Sequence, residues 1–143
     1  MYRKILVALE NSRADNALLD HMAQLAPLHH SQLLLVHVAD GFAARNYDRM
    51  ELTESEEMKA DRSYLEQSAE RLRSHGLAVA THLALGDPAT GILETATQNQ
   101  CDLIAMTTHG HRLLGDIIYG STINQVRHKA DVPVLLVRAG KES

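Results

Sequence analysis

The chain reads as an α/β protein, a five-stranded parallel sheet with helices on both faces in a Rossmann-like arrangement. Three observations predict this. Short, nearly continuous runs of branched apolar residues suit strands covered on both faces. The segments between them repeat apolar residues at steps of three, four and seven, the spacing of one helix face. The two kinds alternate along the chain, and strand–helix alternation implies parallel strands joined by right-handed crossovers.

The elements follow in order. The run "KILVALE" (4–10) is the first strand, and Ala14, Leu18, Met22 and Leu25 mark the first helix. "QLLLVHV" (32–38) is the second strand, followed by a polar connection over residues 39–52 that is a candidate flap. Met58, Leu65, Ala69 and Leu72 align a long charged helix that Gly76 stops, with one face for the core and one for solvent. "LAVATHLAL" (77–85) is the third strand. Asp87 before Pro88 then offers an N-cap with proline at the first helical position, opening a helix along Ala89, Ile92, Leu93 and Ala96. "DLIAMT" (102–107) is the fourth strand. Ile123, Val126 and Ala130 define the last helix, and Pro133 leads into the fifth strand, "PVLLV" (133–137), where a missing N–H is tolerated.

Composition bounds the function. The chain has 143 residues, 45% of them apolar, an ordinary share for one domain over residues 1–143 with one core. A net charge of -4, with Lys and Arg thinly spread, supplies no basic stripe, which excludes nucleic acid and disfavours membrane surfaces. No apolar run approaches the roughly 20 residues that span a bilayer, and "MYRKILVALENS" turns polar too early for a signal peptide, so a cytoplasmic location is expected. Cys101 is alone, which rules out an intramolecular disulfide and leaves a structural thiol at a strand entrance.

Parallel sheets of this kind bind ligands beyond the carboxyl ends of their strands. The loops "ENSRA", "ADGF", "GDPA" and "THGHRLLGDIIYGS" are therefore the ones that bear chemistry. In the last, Gly115, Gly120 and Thr122 have the spacing of a Walker loop, with Ser121 in place of its lysine. Context refutes that reading, because the motif does not follow its strand directly and "DIIY" is too bulky to wrap amides around phosphate. Gly110, soon after the strand, and Gly120, opening the helix "STINQVRHKA" with Ser121 and Thr122 at its first positions, form a different cradle. A helix N-terminus holds phosphate through free N–H groups and about half a positive charge, without a lysine. The bland alternative is that Gly110 ends a strand and Ser121 caps a helix.

Other residues weigh less. His109 and His111 resemble a metal pair, but no acidic or cysteine ligand lies beside them in the sequence, and two ligands do not make a site. His111 reads as a donor near phosphate or as part of a solvated loop, and His37, inside a strand, as a satisfied core histidine. "THGH" lacks the histidine that a nucleotidyl-transferase motif needs at Thr108. No residue stands out as a base for hydrolysis; Asp116 is the best-placed carboxylate, so binding outranks catalysis and the chain is not read as an enzyme. "VPVLLV" is apolar on both faces, and at a sheet edge it would expose unpaired backbone groups. Symmetric pairing through Val132 to Val137 answers that and predicts a homodimer.

The pattern G-x2-G-x9-G-[ST] near the end of a chain this long is the nucleotide signature of the universal stress protein family. "THGHRLLGDIIYGST" followed by "ADVPVLLVR" resembles it, as do "KILVALENS", "LLLVHV" and "GDPATGILETATQNQCDLIAMTTHG", so the resemblance covers the whole chain. It implies the strand order 3-2-1-4-5, dimerisation through the fifth strand, a role as a stress-response regulator and, in one branch, bound ATP with or without Mg²⁺. Carried over by motif position, phosphates contact the backbone at Thr107, Gly110, His111, Gly120, Ser121 and Thr122. Adenine and ribose lie against Ala8, Leu9, Glu10 and the main chain of Val38, with Met106 beneath. Two departures are Thr107 in place of the first glycine and Glu10-Asn11-Ser12 in place of Asp-Gly-Ser. Glu10 keeps a carboxylate for a ribose hydroxyl, and Asn11 tolerates the left-handed backbone that glycine supplies. The rival readings are a nucleotide-free dimeric interaction module and, with less support, a slow ATPase or self-phosphorylating protein using Ser121 or Thr122.

Overall fold

The computed structural model describes residues 1–39, 56–109 and 115–140, with only the backbone for 115–119. The proposed flap lies almost wholly outside the described residues, as do Gly110 and His111. Among the described residues nine elements alternate: β1 Lys4–Ala8, α1 Asp15–His29, β2 Gln32–Ala39, α2 Glu56–Arg73, β3 Val79–Leu85, α3 Pro88–Gln98, β4 Leu103–Thr108, α4 Gly115–Lys129 and β5 Val134–Arg138. The strands form one sheet in the order β3-β2-β1-β4-β5, all neighbours parallel, as the resemblance implies.

The strand period of two divides the apolar runs between two layers. Ile5 and Val7 of β1 join Leu33, Leu35, Leu103 and Ala105 in a core closed by Leu18 and Met22 of α1 and Leu65 and Leu72 of α2. Leu6 and Ala8 face the other way, with Leu34, Ile104 and Met106, under Ile92 and Ala96 of α3 and Val126 of α4. Central strands covered on both faces must be apolar at every position, which is why these runs do not alternate with polar residues.

Local chemistry ends the elements where the sequence places its punctuation. Asp87 caps α3, accepting from the Thr90 amide at 2.9 Å and the Thr90 hydroxyl at 2.8 Å, with Pro88 in the first turn. The backbone bond from Thr90 holds the Asp87 carboxyl below its ordinary range. After α2, Gly76 takes φ +83° and its amide bonds the Arg73 carbonyl at 2.8 Å. The third strand begins at Val79, two residues later than expected, and Leu77 is partly buried against the core outside it.

One boundary is corrected. Gly120 does not open the last helix, because α4 begins at Gly115. Free amides belong to a helix's first turn, so those of Gly120, Ser121 and Thr122 are spent on backbone bonds within α4. The stretch before Gly120 is helical from Gly115 onward. Among the described residues no helix is long and apolar enough to cross a membrane.

Candidate functional site

The strand order reverses between β1, whose next strand lies on one side of it, and β4, which lies on the other. Crossovers leave that point in opposite directions and open a crevice beyond the strand ends. A cleft of about 440 Å³ occupies it, walled by the ends of β1, β2 and β4 and by α2, α3 and α4.

The first wall is the loop after β1. Asp15, at the start of α1, is fully buried and accepts from the amides of Glu10 and Asn11, each at 2.9 Å, and of Ser12 at 3.3 Å. The Tyr64 hydroxyl of α2 donates to the same carboxylate. One acidic side chain thus gathers successive loop amides into a fixed turn, and a charged acceptor makes each bond strong. Burial raises the Tyr64 phenol, and the hydrogen bond to Asp15 and its charge push the same way, so the hydroxyl stays a donor. Asn11 takes φ +66°, the left-handed backbone expected of it.

Beyond the turn, Glu10 meets His109 at the end of β4. His109 Nε2 lies 2.9 Å from both carboxylate oxygens, and Ser12 Oγ donates to Oε2 at 3.0 Å. Burial pushes the Glu10 carboxyl above its ordinary range, while the hydrogen bond and charge of His109 pull it back. The sequence assigned Glu10 to a ribose hydroxyl and left His109 without an acidic neighbour. The fold supplies one from the other end of the chain.

A second polar group lines the α2 side. Asn11 Nδ2 donates to Asp61 Oδ1 at 2.8 Å, and His37 Nε2 is 3.7 Å from the same oxygen. His37 Nδ1 is 2.9 Å from the Leu9 carbonyl, which can only accept, so Nδ1 carries the proton and Nε2 faces Asp61. His37 is thus a satisfied histidine, as read from the sequence, and it also borders the cleft. The opposite wall is apolar, made by Val38, Ile92, Met106 and Ile123 with Pro88. Gly91 lets α3 approach: a Cβ there would lie 2.9 Å from Val38 Cγ2.

Of the residues singled out in the sequence, Ala8, Leu9, Glu10, Val38, Met106, Thr107 and Thr122 line the cleft. Gly120 and Ser121 sit on α4 outside the lining, Ser121 exposed to solvent. The sequence reading missed the side chains of Asn11, His37, Asp61, Ile92 and Ile123 as lining residues. His37 was within reach, since it precedes Val38 at the strand end, whereas nothing near Asp61 marks it. Cys101 lies at the opposite end of β4, 5% exposed, and burial raises its thiol, which keeps it protonated and unreactive.

Known proteins share this architecture. A model described as "Universal stress protein family" matches residues 1–138. A Thermus aquaticus protein described as a universal stress protein is 33% identical, the match covering 96% of this chain and all of the relative. The solved structure of MJ0577, from Methanocaldococcus jannaschii, superposes with a TM-score of 0.83 at 26% identity and covers 99% of both chains. The universal stress protein from Archaeoglobus fulgidus, solved in complex with dAMP, has a TM-score of 0.72 at 23% identity, covering 95% of this chain and 98% of that one, a likeness of fold. The order of elements, the cleft at the strand reversal and a family match over nearly the full length agree: the chain belongs to the universal stress protein family.

Proposed function

We propose that this chain binds ATP or a related adenine nucleotide, with Mg²⁺ accompanying the longer phosphates, as the regulatory ligand of a cytoplasmic homodimer that does not depend on hydrolysis. The observation that carries the reading is the cleft at the strand reversal, apolar on one wall and acidic on the other. A planar base fits against Val38, Ile92 and Met106, and the Glu10 carboxylate is placed to accept from a ribose hydroxyl once it shares or releases His109. The phosphates then run toward Thr107 and Thr122, with Gly110, His111, Gly120 and Ser121 as their further contacts by motif. The dAMP bound to the Archaeoglobus fulgidus relative is consistent with this use of the fold.

The start of α4 favours a second reading, a nucleotide-free interaction module. With the Gly120 to Thr122 amides spent in the helix, that half of the cradle expected from the motif lacks free amide donors, while Gly110 and His111 lie outside the described residues. The two readings separate by denaturing purified protein and identifying any released small molecule by chromatography and mass, then titrating ATP and AMP by calorimetry with and without Mg²⁺. Gly120→Asp adds charge and bulk where a Cβ would meet no described atom within 4 Å, so it spares the fold. Nucleotide affinity is expected to fall at least about tenfold, from anionic repulsion at short range; unchanged affinity removes Gly120 from the phosphate site.

A further inference from the structure

We propose that the Thr107 hydroxyl is a phosphate-binding group of this particular chain, a donor that takes the place of the close backbone approach a glycine would give there. The inference rests on the nucleotide reading above and adds a residue-specific contact to it. Thr107 lies at the end of β4, lines the cleft and is only 2% exposed. Its Oγ1 is buried without a hydrogen-bond partner, the only such side-chain atom among the described residues.

Packing does not account for that hydroxyl. Thr107 follows the apolar Leu103, Ile104, Ala105 and Met106 in a strand buried along nearly its whole length. Valine has the same shape, suits a strand equally well and leaves no donor unpaired. An unsatisfied buried hydroxyl costs stability, so a group that meets it only in a complex gains more than an exposed hydroxyl would.

The position selects the partner. The base belongs on the apolar wall and the ribose beside Glu10, which leaves the β4 end of the cleft, toward Thr122 of α4, for the phosphate. A hydroxyl donates to a phosphate oxygen, and a bond to a charged acceptor is stronger than one between neutral groups. A step of χ1 to another staggered well carries the Thr107 hydroxyl to the place now held by its methyl or its β-hydrogen, a route by which the group can reach the cleft without backbone movement.

The test compares wild type, Thr107→Val and Thr107→Ser by calorimetric titration with AMP and with adenosine, alongside thermal unfolding without ligand. Thr107→Val is expected to bind AMP at least about tenfold more weakly, adenosine unchanged, and to melt no lower than wild type, which shows that it is folded. Thr107→Ser is expected to stay within about threefold of wild type for AMP. The proposal is overturned if Thr107→Val binds AMP as wild type does, or if it loses AMP and adenosine equally. A wild-type protein that binds neither compound overturns the nucleotide reading itself, and this inference with it, before any variant is compared.

Discussion

Glu10 stands on the cleft wall as a partly buried carboxylate whose ionised form is opposed by desolvation and supported by His109. Its folded pKa is raised above its ordinary value of 4.5, so the folded state binds the proton more tightly than the unfolded chain. That contribution to stability is fully present below the ordinary value and is lost as pH rises through the raised one. At neutral pH the ionised group is a net cost, and Glu10→Gln, which cannot ionise, is expected to be at least as stable as wild type at pH 7, with the gap closing toward pH 4. Urea unfolding at the two pH values measures it; a variant less stable at pH 7 would show that the His109 pair outweighs burial. Asp15, fully buried, accepts from backbone amides and from the Tyr64 hydroxyl, and so organises the loop that carries Glu10.

At the scale of elements, the cleft depends on how closely α3 approaches β2. Gly91 faces Val38 across that contact, with Val38 Cγ2 at 2.9 Å and Cγ1 at 3.2 Å from where a Cβ would sit. Alanine helps an isolated helix by about 1 kcal/mol over glycine. Here the methyl must displace Val38, and overpacking of this kind costs about 1–3 kcal/mol. Gly91→Ala is therefore expected to lower stability by up to about 2 kcal/mol after that helix gain, in urea unfolding. It should also weaken adenine-nucleotide binding, because Val38 moves against the cleft wall. A more stable protein with unchanged binding would mean that α3 shifts outward freely.

For the whole molecule, β5 is the edge that the proposed homodimer must cover. Val134 and Leu136 pack toward one core and Leu135 and Val137 toward the other, so the strand is apolar on both faces, as its sequence suggests, and its residues stay only partly buried. Backbone direction alternates along a strand. The Pro133 carbonyl accepts from Ile104 and the Ala139 amide donates to Thr108, so odd-numbered residues pair with β4 and the Leu136 amide points away. Proline at an edge removes only an outward N–H. Leu136→Pro is expected to halve the mass seen by light scattering while leaving a folded chain by circular dichroism. A dimer that persists would place the interface elsewhere.

The strands, the helices and the layering were legible in the sequence because each rests on a local period of apolar residues and on neighbouring caps such as Asp87 with Pro88 and Thr90. The family was legible for a related reason, since its motif is a spacing along the chain. The pairings that give the cleft its chemistry were not. Glu10 and His109 are 99 residues apart, and Asn11 and Asp61 are 50 apart, distances over which no periodicity links one side chain to another. The start of α4 was hidden as well: Gly120 followed by Ser121 and Thr122 looks like a helix opening, yet α4 takes them up in its interior from Gly115 onward. Local spacing determined the elements and their order. Only the folded sheet, by bringing the ends of β1, β2 and β4 against α2, decided which charges and hydroxyls face one another, because burial and electrostatics act through space and not along the chain.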